Sequence, residues 1–165
     1  MPDGDTRRGA GLRCRCGRGL YFIVLLAFLS SCSSLPRIVI LDDPLSPEEH
    51  INLGVAYEQK GETEHALAEY QRASKRLPAA YLYMGNIHFR ANRSGEAEDC
   101  YRKAIREMPG LSDAYNNLAW LYYTKGARLD EAERLALKAL ELSPSNENYR
   151  DTLSRVRELK AKNKV

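Results

Sequence analysis

The sequence predicts an all-α fold, an α-solenoid of three helix-turn-helix repeats followed by a C-terminal capping helix. Two observations lead to this prediction. A seven-position residue pattern recurs three times between residues 47 and 144, and residues 146–162 place apolar side chains at helical spacing on a single face. Because stacked repeats bury a continuous core and a terminal helix needs only one apolar face, the two patterns fit one solenoid domain.

The first element along the chain is an apolar run, residues 20–29, which follows five arginines and precedes Ser30 and Ser31. This layout is typical of a secretory signal peptide. Ten helical residues span about 15 Å, roughly half of the hydrocarbon core, so the run is too short to cross a bilayer. We therefore expect residues 1–31 to be a signal peptide, with an uncleaved membrane anchor as the alternative.

The four residues 29–32, Leu-Ser-Ser-Cys, resemble a bacterial lipobox. The resemblance implies that Cys32 is lipidated and becomes the mature N-terminus, and several acyl chains on one cysteine suffice for stable membrane attachment. An aspartate directly after the lipidated cysteine would imply the inner membrane. This chain has Ser33 at that position, so the resemblance implies the outer membrane. Residues 32–46 are then the lipidated cysteine and a tether, whose apolar run 38–41 would dock on the first helix or extend a partner's sheet.

The repeat pattern occupies residues 47–78, 79–109 and 112–144. Its first copy consists of Leu53, Gly54, Tyr57, Ala66, Tyr70, Ala73 and Pro78. The second copy has the same intervals, with Met84, Gly85, His88, Ala97, Tyr101, Ala104 and Pro109. The third contains one inserted residue, with Leu118, Ala119, Tyr122, Ala132, Ala136, Ala139 and Pro144. Gly54 and Gly85 are only 31 residues apart, whereas Gly85 and Ala119 are 34 apart, so we expect a tight first junction.

Each position of the pattern has an expected structural role. We expect the small first-helix residues Gly54, Gly85 and Ala119 to face Ala66, Ala97 and Ala132 of the second helices, which permits close helix pairing. The tyrosines at 57, 70, 101 and 122 should fill the wedge between successive repeats. The prolines should end the second helices, residues 46–49 should form a capping box, and Gly61, Gly95 and Gly126 should mark the turns.

This pattern resembles the tetratricopeptide repeat, a 34-residue helix-turn-helix unit. The resemblance implies a right-handed solenoid that binds proteins or peptides in a concave groove lined by the first helix of each unit. The residues expected there are Ile51, Asn52, Val55, Leu82, Asn86, Phe89, Asn116, Asn117, Trp120 and Tyr123, with Glu58 and Tyr83 beside them. Apolar rings would bury a ligand's side chains and the amides would bond its backbone. Leu82 and Trp120 have an alternative role in packing between repeats.

One branch of this family holds the C-terminal carboxylates of chaperones through lysine, arginine and asparagine. Ile51 and Val55 occupy the positions where its first repeat has lysine and asparagine. We therefore do not expect this chain to have that function.

Several other functions are not expected. Residues 32–165 carry 20 basic and 20 acidic side chains, so the body lacks the basic field that nucleic acids require. The four cysteines form no CxxC pair, which argues against a zinc site or a disulfide framework. No catalytic motif is found around the three histidines, so we expect no enzyme activity, catalytic residue, metal, cofactor or small-molecule substrate.

These observations together predict a lipid-anchored interaction module on the bacterial outer membrane, facing the periplasm. Its expected partner is another protein or peptide of the cell envelope, with pilus, cell-wall and polysaccharide-export machinery as the implied settings. Two alternatives remain open: a non-catalytic partner of an envelope enzyme such as a peptidase, and a homo-oligomer whose groove holds residues 38–41 of another copy. The basic end of the capping helix would either contact anionic lipid or, as we expect, lie in solvent.

Overall fold

The computed structural model describes residues 43–163, and within that range it contains seven α-helices and no strand. The helices are α1 Pro47–Gln59, α2 Thr63–Ala73, α3 Ala80–Arg90, α4 Ser94–Glu107, α5 Ser112–Lys125, α6 Leu129–Leu142 and α7 Glu147–Lys162. Consecutive helices pack as three antiparallel pairs, with α7 against α6 and α5. The predicted all-α solenoid with three helix pairs and a capping helix is confirmed.

Residues 1–42 lie outside the described range, and with them the predicted signal peptide, Cys32 and most of the tether. Between residues 43 and 163 no helix combines the length and the hydrophobicity that crossing a bilayer needs. The first helix begins as predicted. The Ser46 hydroxyl accepts a hydrogen bond from the Glu49 amide, the Glu49 carboxylate accepts one from the Ser46 amide, and Pro47 occupies the first helical position.

The tight first junction shortens α3. Helix α1 begins three residues before His50 and α5 begins three residues before Tyr115, whereas α3 begins one residue before Tyr81, the equivalent position. Two of the three missing residues are therefore lost from the start of α3, which removes about half a turn. Helix α2 also ends early, at Ala73, five residues before Pro78, while α4 and α6 each end two residues before their proline.

In each repeat, the turn between the two helices depends on a residue with a left-handed backbone conformation. This residue comes four positions after Tyr57, His88 or Tyr122 of the repeat pattern. Gly61, Asn92 and Gly126 occupy that position with φ of 77°, 57° and 60°. Asparagine is one of the few residues other than glycine that tolerates this conformation. The prediction for Gly95 was wrong, because this residue lies inside α4. The inserted residue of the third repeat is accommodated by a second left-handed residue, Arg128, with φ of 52°.

The glycines of the first helices make room for a tyrosine ring of the second helix, which lies nearer to them than the alanines that we expected to face them. A Cβ atom built on Gly54 would lie 2.4 Å from Cε1 of Tyr70, and one built on Gly85 would lie 2.5 Å from Cε1 of Tyr101. In the third repeat the corresponding pair is Ala119 and Ala136, where the ring is absent. The small residue is therefore a glycine only where the second helix carries tyrosine.

The predicted tyrosine wedge between successive repeats is present in part. Tyr70 packs against Gly54 of its own repeat, and its ring also lies 5.1 Å from the ring of Tyr83 in the next repeat. Tyr57 instead lies 5.2 Å from the ring of His65 in the same repeat. Tyr122 does join successive repeats, because its hydroxyl donates to Glu98 at 2.8 Å and accepts from Arg102 at 2.8 Å.

The capping helix is held by apolar and ionic contacts. Tyr149, Leu153 and Val156 are buried against the third repeat. On its basic half, Arg157 and Lys160 contact Glu133 of α6 at 2.7 and 2.8 Å. These two cations are thus engaged within the domain, which favours the structural interpretation of the basic stripe over lipid contact.

Candidate functional site

The first helices of the three repeats form two adjoining pockets, which together we call the first-helix groove. The α1–α3 pocket has a volume of about 490 Å³ and is lined by Val55, Glu58, Gln59, Tyr83, Asn86 and Arg90. The α3–α5 pocket has a volume of about 180 Å³ and is lined by Asn86, Phe89, Arg90, Tyr101, Asn117 and Trp120. Asn86 and Arg90 line both pockets, so α3 is the ridge between them.

Asn86 is fixed by two hydrogen bonds to its side-chain oxygen. Its Oδ1 accepts from the Tyr101 hydroxyl at 2.9 Å and from Nδ2 of Asn117 at 2.8 Å. Burial raises the pKa of Tyr101, which keeps this hydroxyl protonated as a donor. Because both lone pairs of Oδ1 are used, Asn86 offers a ligand the N–H groups of Nδ2, which matches the acceptor character of a peptide carbonyl.

Trp120 forms the far wall of the α3–α5 pocket. Its ring lies 4.9 Å from the ring of Tyr123, and the guanidinium of Arg155 lies 5.9 Å from the indole centroid. The side chain is half-buried, so one part is held by the domain and another part faces the pocket. It is also the single tryptophan of the chain, so its fluorescence reports on this pocket alone.

An ion pair closes one side of the α1–α3 pocket. Glu58 accepts a hydrogen bond from the Tyr70 hydroxyl at 2.5 Å and pairs with Arg90 through its other oxygen. Burial, and after it the neighbouring Glu58 carboxylate, raises the pKa of Tyr70, so this hydroxyl too remains a donor. The Arg90 side chain is 59% exposed and engages Glu58 through one nitrogen, which leaves further N–H donors directed to solvent.

The ten residues predicted for the groove fall into three groups. Five of them line its pockets: Val55, Asn86, Phe89, Asn117 and Trp120. Three others lie outside both pockets with part of the side chain accessible, namely Asn52, Asn116 and Tyr123. The remaining two, Ile51 and Leu82, are only 9% exposed and belong to the hydrophobic core. We correct their assignment, since a core side chain offers almost no surface to a ligand.

Three lining residues were absent from the sequence prediction, namely Gln59, Arg90 and Tyr101. Arg90 is four residues after Asn86, on the same face of α3, and this spacing was a usable signal. Tyr101 comes from a second helix, and no pattern in the first helices indicates it. Its ring enters the groove region because Gly85 lacks a side chain.

Within residues 43–163, no cluster of three or more His, Cys, Asp or Glu side chains suited to a metal ion is found. Burial, and then the Asp99 carboxylate, raises the pKa of the Cys100 thiol, which disfavours the reactive thiolate. Burial also lowers the pKa of His88, whose Nδ1 atom is buried without a hydrogen-bond partner.

Three tetratricopeptide repeat profiles match the chain, at residues 50–76, 78–111 and 111–143. Among curated proteins, the human protein O-mannosyl-transferase TMTC2 is 32% identical over 125 residues. That alignment covers 69% of this chain but only 15% of the human protein's length.

Solved tetratricopeptide repeat domains of the RPAP3 protein share the fold. The first domain of Spaghetti (RPAP3), bound to the HSP90 peptide SRMEEVD, superposes with a TM-score of 0.65 at 20% identity, covering 74% of this chain and 98% of that domain. The second domain of human RPAP3, in complex with the HSP70 peptide SGPTIEEVD, superposes with a TM-score of 0.59 at 20% identity. This match covers 68% of this chain and 98% of that domain.

Proposed function

The chain belongs to the tetratricopeptide repeat family, and on this premise we propose that residues 43–163 are a protein-interaction module. The ligand is a peptide segment of a partner protein, and it lies in the first-helix groove. Solved domains of the same fold were determined with bound peptides, which supports this class of ligand. The proposed role is binding, with no catalytic step.

The arrangement around Asn86 carries this proposal. Tyr101 and Asn117 hold the Asn86 oxygen, so the amide nitrogen keeps a fixed direction at the ridge between the pockets. Aromatic rings of Phe89 and Trp120 lie beside it. A donor held next to apolar rings suits a peptide, because the donor can bond a backbone carbonyl while the rings bury a neighbouring side chain.

The variant Asn86→Asp tests this arrangement with little change in shape. The carboxylate still accepts from Tyr101 and Asn117, but the two N–H donors are lost. Asn148→Asp is the matched control, because it makes the same change on α7 at an exposed residue outside both pockets. We expect Asn86→Asp to weaken peptide binding at least tenfold, which corresponds to about 1.4 kcal/mol, and Asn148→Asp to leave it unchanged.

The ligand must first be identified. A photo-crosslinking residue at Phe89 should capture a partner in cells, and one at Gln71 on the exposed face of α2 serves as the control. The crosslinked segment, mapped by mass spectrometry, is then synthesised and titrated while Trp120 fluorescence is followed. The proposal fails if capture occurs equally from Gln71, or if both asparagine variants bind the mapped peptide like the wild type.

We further propose the cellular setting that the N-terminal sequence indicates. The chain is anchored to the bacterial outer membrane through acylated Cys32, faces the periplasm, and acts as an adaptor for an envelope protein. This proposal rests on the apolar run at residues 20–29, the lipobox-like residues 29–32 and Ser33. Its test is the Cys32 substitution given in the Discussion.

A further inference from the structure

Two opposite charges in the first-helix groove differ in how accessible they are to a ligand. Of the residues that line its two pockets, only Glu58 and Arg90 are charged. They form an ion pair between α1 and α3, in which the Glu58 side chain is 19% exposed and the Arg90 side chain is 59% exposed. At the far wall, Arg155 lies over Trp120 but is paired with Asp151 at 2.7 Å, and this pair adds no net charge. The charge that a ligand meets in the groove is therefore the Arg90 guanidinium.

The two members of the Glu58–Arg90 pair also differ in the hydrogen bonds that they leave free. Both oxygens of Glu58 have a partner, since Oε1 accepts from the Tyr70 hydroxyl at 2.5 Å and Oε2 accepts from Arg90. Within residues 43–163, the Arg90 guanidinium makes only this one hydrogen bond, although it carries several N–H groups in a planar fork. The unused donors suit a second carboxylate, because an arginine fork binds carboxylates through paired, charge-assisted hydrogen bonds.

The pockets on the two sides of Arg90 differ in the side chains that they can accept. The α1–α3 pocket, of about 490 Å³, is lined mostly by polar side chains such as Gln59 and Asn86. The α3–α5 pocket, of about 180 Å³, contains the rings of Phe89 and Trp120. An acidic side chain in the larger pocket can reach Arg90, while an apolar side chain in the smaller pocket is buried against the rings.

We propose that the peptide in the first-helix groove carries an acidic side chain that pairs with Arg90, close to an apolar side chain held by Phe89 and Trp120. This inference rests on the proposed function, since it names the chemistry of the ligand of the same site. Glu58 orients the guanidinium, and Arg90 determines the specificity. Because Arg90 lies at the ridge between the pockets, the peptide continues past it on both sides, so the carboxylate belongs to a side chain and not to a C-terminus.

The first test is selection from a phage-displayed library of random peptides, fused at their C-termini to the coat protein, on the immobilised full chain. We expect the wild type to enrich peptides with Asp or Glu close to an apolar residue. Arg90→Gln should lose the acidic preference and keep the apolar one. Arg134→Gln is the matched control, because Arg134 is exposed on α6 outside both pockets, and it should select like the wild type.

The possible results of this selection separate the inference from the proposed function. If the wild type selects no peptides, peptide binding in the groove is refuted and the inference fails with it. If the wild type selects apolar peptides without an acidic preference, or prefers Lys and Arg, peptide binding stands and only the inference is overturned. The inference is also overturned if Arg90→Gln retains the acidic preference, since another residue then recognises the charge.

The second test compares Arg90→Gln with Glu58→Gln, because the inference predicts opposite effects for the two variants. One enriched peptide without tryptophan, and its version with the acidic residue changed to the amide, are titrated while Trp120 fluorescence is followed. Arg90→Gln should bind the acidic peptide about fivefold more weakly, as expected for an accessible charge pair, and the neutral peptide unchanged. Glu58→Gln keeps an oxygen for the Tyr70 hydroxyl but removes the charge that competes for Arg90, so it should bind the acidic peptide more tightly. If both variants weaken both peptides equally, the pair only holds α1 against α3 and the inference is wrong.

Discussion

Replacing Gly85 by alanine should destabilise the second repeat, although alanine is the better helix former. The added Cβ would lie 2.5 Å from Cε1 and 2.6 Å from Cδ1 of Tyr101, where about 3.5 to 4.0 Å is the favourable separation. Tyr101 is 1% exposed, so its ring has little room to retreat, and its hydroxyl bond to Asn86 would be strained.

The expected magnitude is a balance of three contributions. Overpacking costs about 1 to 3 kcal/mol, and weakening the Tyr101–Asn86 hydrogen bond costs about 1 kcal/mol. The higher helix propensity of alanine returns about 1 kcal/mol. We expect Gly85→Ala to lower the free energy of unfolding by about 1 to 3 kcal/mol, measured by urea denaturation followed by circular dichroism.

The same substitution should become stabilising once the ring is removed. In a Tyr101→Ala background the space beside Gly85 is open, so Gly85→Ala should gain up to about 1 kcal/mol from helix propensity alone. Gly95→Ala, in α4 with no atom within 4 Å of its Cβ, is the matched control and should stabilise the wild type. If Gly85→Ala has the same effect with and without the ring, the proposed packing of glycine against tyrosine is wrong.

Three further predictions concern other parts of the chain. Cys32→Ala should abolish labelling by a fed fatty acid and release the protein from the membrane fraction, and equal labelling of the variant would refute lipidation. Gly126→Ala should cost about 1 kcal/mol, because φ is 60° there, and a rise in the melting temperature would contradict this. Hydrogen bonds from Lys160 and then Arg157 lower the pKa of Glu133, so its stabilisation is present at neutral pH and lost as the pH falls through the folded-state pKa. Glu133→Gln should therefore lower the melting temperature slightly at pH 7 and not at about pH 3, and a difference that persists in acid would exclude this ion-pair contribution.

Contacts between repeats decide which polar residues of the second helices can serve as control variants. By position in the sequence alone, Arg102 and Glu98 are ordinary exposed charges of a second helix. In the structure Glu98 bonds Tyr122, and Arg102 bonds both Tyr122 and Glu131, so the two side chains tie α4 to α5 and α6. Gln71 and Arg134 are better controls, because both are exposed and neither side chain has a partner within the described residues.

The order and the approximate bounds of the seven helices could be predicted from the sequence, because they depend on local information. The apolar spacing, the Ser46 capping box and the prolines each act within a few residues, and repetition of the pattern three times reinforced each assignment. The groove could be predicted in outline for the same reason, since the residues on one face of a first helix follow from its periodicity. Val55, Asn86, Phe89, Asn117 and Trp120 were found in this way.

What the sequence could not decide depends on contacts between residues far apart in the chain. Periodicity places Ile51 and Leu82 beside the groove, but neighbouring helices cover them, and burial depends on how those helices pack. Tyr101 reaches the groove from a second helix only because Gly85 leaves space for its ring. The pairing of Asp43 and Glu69 with His50 joins residues 26 positions apart, and only tertiary packing brings such charges together. Local patterns therefore determined the helices and their faces, whereas close packing determined which side chains remain accessible to a partner.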